Sequence, residues 1–322
     1  MHDKEVFNLL KTKKIIVVGD IMLDRYLYGE VERISPEAPV PVLMFKKENF
    51  TPGGAANVTL NLTGLNIKTS LFGVIGEDDE GKRLLNLLTQ IKNLSVKGVL
   101  IDKDRPTTVK QRIVGNNQQI VRIDRESRTP LRKKILQKLK DLILKEKEDI
   151  SAVILSDYGK GVISKEMIQF ILELKKKNKF IVSVDPKVGH FFHYKYVDLI
   201  TPNQKETEDA TGLKIEDDKS LKKASKQLIN RLKCKNLLVT LGAAGMILFN
   251  KENPQGYHIP AEAKEVYDVS GAGDTVISVM TAAMATGASP AKSARLANIA
   301  AGIVVGEFGT TAITIEKLKK KL

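Results

Sequence analysis

Asp268-Val-Ser-Gly-Ala-Gly-Asp-Thr-Val276 is predicted to form a turn of small residues that opens onto a helix. The helix is predicted from Thr275 without a breaker until Gly287, where a C-terminal glycine is expected. Gly271 and Gly273 let the backbone come close to a ligand and take positive φ. Because the first amides of a helix lack internal partners and lie at the positive end of its dipole, they stabilise an anion without a cationic side chain.

Asp274 stands in the first turn of this predicted helix, beside the anion site. A carboxylate there can accept a proton while the amides hold negative charge, which suits phosphoryl transfer. The alternative is that Asp274 only complements the helix dipole and that the glycines only make a tight turn. This stretch alone leaves both interpretations open.

The composition is typical of a soluble globular protein with a sizeable core, with 322 residues, 42% hydrophobic and 28% charged. The net charge of +14 is compatible with nucleic acid, but also with an anionic sugar phosphate or nucleotide. Tryptophan is absent and aromatic residues are only 5%, so there is little to stack on bases. We therefore expect a solvated basic surface and no nucleic-acid partner.

The cellular compartment is predicted from the low cysteine count and the short apolar runs of the sequence. Cys234 is the single cysteine, which excludes an intrachain disulfide and fits a reducing cytosol. No apolar run is long enough to span a membrane, and Ile15–Val18 is too short for a signal peptide. The sequence therefore predicts a cytoplasmic protein without a membrane partner.

Short apolar strands, each followed by polar residues, alternate with amphipathic helices along the chain. This pattern predicts an α/β fold, a mostly parallel sheet with helices on both faces, in one domain over residues 1–322. Ligands bind such sheets off the carboxyl ends of the strands. The polar residues at these ends are Asp20, Asp157, Asp185, Asn203, Glu206 and Thr240. Any one of them could be a turn residue, but together they indicate a metal–phosphate site.

Residues 25–50 and 105–123 are predicted to form a small β lid. The first segment is predicted to hold exposed or edge strands, since its prolines exclude a helix. The second reads as a hairpin around Gly115-Asn-Asn. Exposed strand edges tend to be paired or protected, so we expect a homodimer through this lid.

A second glycine turn, Gly53-Gly54, leads into a helix that is predicted to continue to about Leu62. Asn57 would lie in or near its first turn, and the two glycines would let a polar ligand such as a sugar approach. Asp20 and Asp24 follow the first apolar strand and are candidates for binding hydroxyl groups. The alternatives are a tight strand-to-helix turn and, for Asp20, a turn cap.

The order and separation of Pro52-Gly-Gly-Ala-Ala-Asn57 and the opening stretch resemble the ribokinase-like (PfkB) carbohydrate kinases. Within that family the chain is most similar to the D-glycero-β-D-manno-heptose 7-phosphate kinases. The motifs that carry this resemblance are 18–26, 33–42, 117–124, 155–161, 200–203, 265–269 and 302–306. The run Ile34-Ser-Pro-Glu-Ala-Pro39 weighs most, because it is specific to that subgroup.

The resemblance implies ATP-dependent phosphorylation of the C1 hydroxyl of D-glycero-D-manno-heptose 7-phosphate. The product would be the 1,7-bisphosphate, a precursor of ADP-heptose for lipopolysaccharide core or surface glycans. Relatives are often fused to a nucleotidyltransferase, and because this chain stops at Leu322 a stand-alone kinase is expected. The alternatives are a kinase for another sugar, such as fructose or ribose, or for a nucleoside, and a non-catalytic sugar-phosphate sensor.

The resemblance also implies roles for individual residues. Asp274 resembles the catalytic base, and Gly271, Ala272 and Gly273 resemble the anion hole. Asn203-Gln204-Lys205-Glu206 resembles the Asn-x-x-Glu motif that organises Mg²⁺ and ATP, with Glu206 at the metal and variable residues between.

The remaining expectations concern the two substrates, ATP and a sugar phosphate. The nucleotide side would be lined by Thr240, Gly242, Gly245 and Asn298, and the sugar side by Asp20, Asp24, Gly53, Gly54, Asn57 and Asp185. Lys160 and Arg122 are candidates for the phosphate that the sugar already carries, inferred from their charge and from the position of the lid.

Overall fold

The computed structural model describes residues 2–262, 267–307, 309 and 311–322. Glu265 and Val266, part of one motif behind the family resemblance, lie outside the described residues. The strands are β1 Lys14–Gly19, β2 Ile21–Ile34, β3 Pro41–Gly54, β4 Lys68–Gly76, β5 Leu94–Asp102, β6 Thr108–Gly115, β7 Gln118–Arg125, β8 Ala152–Ser156, β9 Ile181–Asp185, β10 Leu199–Ile200, β11 Asn236–Thr240, β12 Met246–Asn250 and β13 Tyr257–Ile259. The α-helices are α1 Asp3–Leu10, α2 Ala55–Gly64, α3 Asp79–Thr89, α4 Lys133–Lys145, α5 Lys165–Lys177, α6 Gln204–Thr211, α7 Asp218–Leu232, α8 Ala272–Ala285, α9 Pro290–Val305 and α10 Ile315–Lys321.

Within the described ranges, nine strands form the main sheet in the order β13-β12-β11-β10-β9-β8-β1-β4-β5. All neighbours from β11 to β5 pair in parallel, whereas β12 and β13 are antiparallel additions at one edge. The prediction of a mostly parallel sheet is confirmed. Its carboxyl ends meet along one side of the molecule, where the polar residues that follow the strands are brought together.

The side chains of β1 show how both faces of the sheet are buried. Ile15 and Val17 belong to the core under α2, α8 and α9, whereas Ile16 and Val18 belong to the opposite core under α4, α5 and α7. Successive residues of a strand point to opposite faces, so an unbroken apolar run is what two helical layers require. The prediction of helices on both faces is confirmed as well.

A second sheet of four strands, in the order β3-β2-β6-β7, stands on the carboxyl side of the main sheet. It contains both segments that were expected to form a lid. The hairpin turns at Asn116 and Asn117, whose φ angles of 51° and 65° suit a two-residue turn between antiparallel strands. The expectation of exposed or edge strands holds for β3, which is an edge; β2 lies inside the sheet between β3 and β6, and it is largely exposed only from Glu30 onward.

The strands β2 and β3 are longer than predicted, and their extra length brings the small sheet up to the second glycine turn. They remain paired down to Ile21 and Gly54, so the small sheet runs directly into the turn before α2. Asp24 and Gly53 therefore belong to the base of the small sheet. No helix among the described residues is both long and apolar enough to cross a membrane.

Asn61 joins three parts of the chain inside the core. Its Oδ1 accepts hydrogen bonds from Thr275 Oγ1 and from the backbone N–H of Ile313, both at 3.0 Å, and its Nδ2 donates to the carbonyl of Asn57. The side chain is fully buried. The start of α8 is thereby tied to α2 and to the segment that leads into α10.

The Asn61→Ala variant should unfold more easily, because it leaves the buried Ile313 N–H without an acceptor and removes one of the two acceptors of the Thr275 hydroxyl. We expect the free energy of unfolding to fall by about 3 kcal/mol, measured by chemical denaturation. Asn86→Ala, on the exposed side of α3, is the matched control and should change it by less than about 0.5 kcal/mol. Equal stability of the two variants would contradict this account of Asn61.

Candidate active site

Asp274 lies at the start of α8, almost completely buried and held by two side chains. Asn57 Nδ2 donates to its Oδ2 and the Tyr158 hydroxyl donates to its Oδ1, both at 2.8 Å. The helix begins at Ala272, earlier than predicted, so Asp274 is its third residue. A carboxylate in the first turn lies beside backbone N–H groups that have no partner within the helix.

The turn before α8 uses its two glycines differently. Gly271 has φ 82° and forms the N-cap, a conformation that a side chain would strain. The expectation of positive φ at Gly273 is wrong, because this residue lies within the first helical turn. A Cβ atom at Gly273 would meet nothing within 4 Å, so the helix start faces open space. Gly271, Ala272 and Gly273 thus leave room for an anion over the first amides.

The pKa of Asp274 is raised to about 6, mainly because burial disfavours the charged carboxylate. The hydrogen bonds from Asn57 and Tyr158 oppose this by stabilising the charged form. Of the nearby charges, Asp24 raises the pKa and Lys110 lowers it. A carboxylate with such a pKa is ionised near neutral pH and still basic enough to take a proton from a hydroxyl group.

Asn57 has an unused acceptor beside Asp274. Its side chain is fully buried in the first turn of α2, and its Oδ1 accepts no hydrogen bond from the described residues. Buried polar atoms normally have a partner. An orphaned oxygen next to a carboxylate fits a hydroxyl donor from a ligand. Gly54, the N-cap of α2, directly precedes this turn; its φ is 58°, and a Cβ atom there would lie only 2.6 Å from the Asp20 carbonyl oxygen.

Two residues at this site, Tyr158 and Lys110, were not among the predicted site residues. Tyr158 follows β8, and Lys110 on β6 lies with Nζ 5.2 Å from the centre of its ring. Burial lowers the pKa of Lys110, and Asp24 opposes that shift. Tyr158 stands within motif 155–161, which contributed only to the family resemblance. Lys110 and Arg112 alternate along β6, a signal that could have marked one strand face as cationic.

Asp20 organises a loop through its carboxylate. Its Oδ2 accepts from the N–H groups of Tyr158 and Lys160, and its Oδ1 accepts from that of Val162. Burial raises the pKa of Asp20, and these hydrogen bonds oppose the shift. Backbone donors occupy both oxygens, so the geometry supports the interpretation of Asp20 as a turn cap better than that of a sugar ligand.

Asp24 is paired with Arg112 of β6, and both side chains are nearly buried. Gly53 makes room for this pair, because a Cβ atom at that position would collide with Asp24 Oδ2. The Arg112 guanidinium also lies 5.0 Å from the centre of the Tyr26 ring. The base of the small sheet thus carries a fixed cation and a fixed anion close to Asp274.

Carboxylates gather where β8 and β9 end and α6 begins. Burial raises the pKa of Asp185 well above its usual range, and Asp274, Glu206 and Asp157 add to the shift while Lys187 opposes it. Burial also raises the pKa of Glu206, against a hydrogen bond from the Asn203 N–H. Neighbouring carboxylates repel one another when ionised, and a cation between them would relieve that repulsion.

The Asn203–Glu206 segment forms a capping box at the start of α6. Asn203 Oδ1 accepts from the Glu206 N–H and Glu206 Oε2 accepts from the Asn203 N–H. Gln204 donates to the carbonyl of Ile215, and exposed Lys205 pairs with Asp209 one turn later. Since Gln204 and Lys205 bond within their own surroundings, their contacts give no support to nucleotide binding.

A metal ion would need more ligands than these side chains provide. Among the residues that the structure describes, no group of three or more His, Cys, Asp or Glu side chains could hold a metal ion. Asp185 and Glu206 are nevertheless hard oxygen donors with raised pKa values, which a divalent cation would lower. The donor set fits a cation that takes most of its ligands from water and phosphate.

The residues expected on the nucleotide side follow β11. Thr240 is bridged to Asn203, Gly242 opens a short 3₁₀ turn, and Gly245 closes it before β12. Asn298 of α9 is buried, and its Nδ2 donates to the carbonyl of Pro260 at 2.7 Å. Thr240 is thus near the Asn203 capping box, whereas the amide of Asn298 holds the chain after β13.

The two cations expected to bind a substrate phosphate are already paired. Lys160 forms an ion pair with Glu126, and both side chains are nearly buried. Arg122 is half-exposed on β7 and binds Asp124 through two nitrogens. Neither lines the cavity of about 1010 Å³ between the small sheet and the turn before α8. Its lining includes Tyr26, Lys46, Lys47, Arg112, Asp268 and Ser270.

Comparison with known proteins gives concordant results. Residues 12–318 match the model of the pfkB family carbohydrate kinases. The chain is 44% identical over 306 residues to the bifunctional protein HldE of Helicobacter pylori, covering 95% of this chain and 65% of that protein. Identity to the bifunctional protein HldE of Desulfatibacillum aliphaticivorans is 43% over 323 residues, covering 100% of this chain and 65% of that protein. The chain thus spans just under two thirds of the length of these relatives.

Solved structures with the same fold are more distant in sequence. Phosphofructokinase-2 of Escherichia coli, in complex with substrates and products, superposes with a TM-score of 0.81 at 20% identity, covering 96% of this chain and 97% of that one. The Arabidopsis thaliana ribokinase complexed with ribose and ATP gives 0.74 at 21% identity, covering 96% and 98%. These likenesses show a ribokinase-like fold. The family match over residues 12–318 shows that the chain belongs to the pfkB family of carbohydrate kinases, which transfer a phosphoryl group from ATP to a sugar.

Proposed function

We propose that this chain phosphorylates the C1 hydroxyl of D-glycero-D-manno-heptose 7-phosphate with ATP. The product is the 1,7-bisphosphate, a precursor of ADP-heptose for lipopolysaccharide core or surface glycans. The observation that carries the kinase reaction is the buried Asp274 carboxylate, held by two hydrogen bonds in the first turn of α8. A base and an anion site are thereby adjacent, as phosphoryl transfer to a hydroxyl requires.

The choice of sugar rests on sequence similarity and on charge. Identity to the two HldE proteins is 43–44%, against 20–21% to phosphofructokinase-2 and ribokinase. The motifs of the heptose 7-phosphate kinases extend through the small sheet, including Ile34–Pro39. Of the cations that line the neighbouring cavity, Arg112 is paired with Asp24 and Lys46 with Glu30, so Lys47 is the one best suited to an acceptor that already carries a phosphate.

In the proposed reaction Asp274 accepts the proton of the C1 hydroxyl while that oxygen attacks the γ-phosphorus in line with the leaving ADP. The amides at the start of α8 stabilise the charge that develops on the transferred group. Asn57 holds the base through Nδ2 and offers its unpaired Oδ1 to a sugar hydroxyl. The small sheet, whose base carries Asp24 and Gly53, closes over the sugar and excludes water.

Mg²⁺ fits the carboxylate cluster at the ends of β9 and α6. Asp185 and Glu206 would hold it, and the ion would neutralise part of the phosphate charge. Lys187 is the cation that opposes the raised pKa of both carboxylates, so its side chain is well placed to act on the nucleotide phosphates. Thr240, Gly242 and Gly245 would line the path of the nucleotide along the end of β11.

We also propose a homodimer through the small sheet. Its outer strands β3 and β7 have unpaired edges among the described residues, and every residue of β7 is exposed. Among the described residues, seven of the fourteen exposed large apolar side chains lie on this sheet or its first loop: Ile34, Val40, Met44, Phe45, Ile120, Val121 and Ile123. Exposed apolar side chains on a sheet with open strand edges favour pairing with a second copy.

Replacement of the base provides the first test of the reaction. Asp274→Asn keeps the shape of the side chain but cannot accept the proton, so kcat should fall roughly 10²-fold to 10⁴-fold. Asp141→Asn, an exposed change on α4, is the control and should retain normal turnover. Melting curves of both variants verify folding. Near-normal turnover in Asp274→Asn would show that another group removes the proton.

A panel of acceptors tests the choice of sugar. The purified chain is incubated with ATP, Mg²⁺ and either the heptose 7-phosphate, fructose, ribose or a nucleoside, and ADP release is followed. We expect turnover with the heptose 7-phosphate, and ³¹P NMR should show a new phosphate at C1. Turnover of fructose or ribose alone would overturn the substrate but keep the kinase. Binding of sugar phosphate without any ADP release would instead favour a sensor.

Light scattering tests the dimer. The particle should have twice the 35.6 kDa mass of one chain. Phe45→Lys places a charge at an exposed apolar position on β3 and should yield monomers. Leu144→Lys, an equally drastic change at an exposed apolar residue on α4, should leave the dimer intact. A monomeric wild-type protein, or a dimer that survives Phe45→Lys, would exclude this interface.

A further inference from the structure

We propose that Tyr158 is a positioning residue for Asp274: it donates a hydrogen bond to the carboxylate before the reaction and accepts one from the carboxylic acid afterwards. This inference rests on the proposed role of Asp274 as the base. It assigns to the phenol hydroxyl a task that the Asn57 NH₂ group, the other group bonded to Asp274, cannot perform. The proton itself moves only from the C1 hydroxyl to Asp274, as the C1 oxygen bonds to phosphorus and the bond to ADP breaks.

The two partners of Asp274 differ in what they can exchange. The Asn57 NH₂ group donates and cannot accept, whereas the phenol oxygen of Tyr158 can do both. Once Asp274 has gained a proton, its new O–H needs an acceptor in a buried setting. A rotation of the Tyr158 hydroxyl supplies that acceptor at the atom it already contacts, 2.8 Å away.

Tyr158 acts as a neutral group throughout this cycle. Burial raises its pKa well above the usual range, and the carboxylates of Asp274, Asp185 and Asp24 add to the shift. The phenol therefore keeps its proton at neutral pH. Its contribution lies in hydrogen bonding and orientation, not in removing the substrate proton.

The position of Tyr158 is fixed independently of its hydroxyl group. Its backbone N–H donates to Asp20 Oδ2 at 2.9 Å, and the next residue, Gly159, takes φ 69°. Lys110 lies over one side of the ring. Because the loop and the ring are held by other contacts, loss of the hydroxyl should leave the backbone in place and affect Asp274 alone.

The charged groups that face Asp274 come from three strands besides the Tyr158 loop. Asp24 of β2 and Asp185 of β9 disfavour its ionised form, and Lys110 of β6 favours it. None of these is changed in Tyr158→Phe. Since the phenol hydrogen bond stabilises the carboxylate, its loss should raise the pKa of Asp274 above the present value of about 6.

The test is the pH dependence of kcat/KM in Tyr158→Phe, with the acceptor that the wild-type enzyme uses. The acidic limb, which reports the free enzyme, should move to higher pH by about one unit. The kcat at the plateau should also fall, by about 10-fold, because the protonated base has lost its acceptor. Tyr194→Phe is the matched control, since that buried phenol donates to Asp157 and does not contact Asp274.

Tyr194→Phe should lose stability without moving the acidic limb. An unchanged limb in Tyr158→Phe, or an equal movement in both variants, would overturn the proposal. If Tyr158→Phe does not fold, 3-fluorotyrosine at position 158 replaces it: the ring is kept, the phenol becomes a stronger donor, and the limb should move to lower pH. An unchanged limb there would be equally decisive against the proposal.

A readout without substrate separates this inference from the proposed function. The carboxyl carbon of Asp274 can be titrated by ¹³C NMR in protein labelled at aspartate, with Asp274→Asn used to assign the signal. The Tyr158→Phe variant should raise the titration midpoint by the same unit. A raised midpoint in a protein that turns over no sugar would refute the function alone. Loss of turnover in Asp274→Asn with an unchanged midpoint in Tyr158→Phe would refute the inference alone.

Discussion

The contact between α2 and α8 is the interaction on which the rest of the site depends. Asn57 and Asn61 are four residues apart, so they lie on one face of α2. The first holds the Asp274 carboxylate and the second holds the Thr275 hydroxyl. A buried charge is tolerated only when it is hydrogen-bonded. These two amides therefore fix the register of the helices and permit a carboxylate to remain buried at the start of α8.

Around this contact, the acidic residues of the sheet edge divide into two kinds. Asp20 accepts hydrogen bonds from three backbone N–H groups. Asp157 is hydrogen-bonded to Tyr194, His190 and the Gly159 N–H, so both carboxylates hold loops in place. Burial raises the pKa of Asp185 and of Glu206, and neighbouring carboxylates add to both shifts. The first kind builds a rigid frame, and the second leaves negative charge that a cation can balance.

The sequence allowed the fold to be predicted because each apolar run of the parallel sheet is buried on both faces, which leaves an unmistakable pattern. The glycine turn, Asp274 and Asn57 could be found as well, since small residues before a helix indicate an anion site. Tyr158 and Lys110 could not, because their proximity to Asp274 arises from strands far apart in sequence. For the same reason Glu126 could not be recognised as the partner of Lys160, whereas Asp124, two residues after Arg122 on the same strand, could have been recognised as the partner of Arg122.

The unbroken length of β2 and β3 has a mechanical consequence. Each strand has 14 residues, and at about 3.3 Å per residue such a strand spans roughly 45 Å. One end bears apolar residues on the surface, and the other bears Asp24 and Gly53. Register shifts at Tyr28/Gly29 and Val31/Arg33 interrupt the regular pairing of the two strands, and strands bend at such irregularities. The outer edge and the glycine turn before α2 are therefore joined by the same two strands, and a movement of one end relative to the other would bend the sheet at these two places.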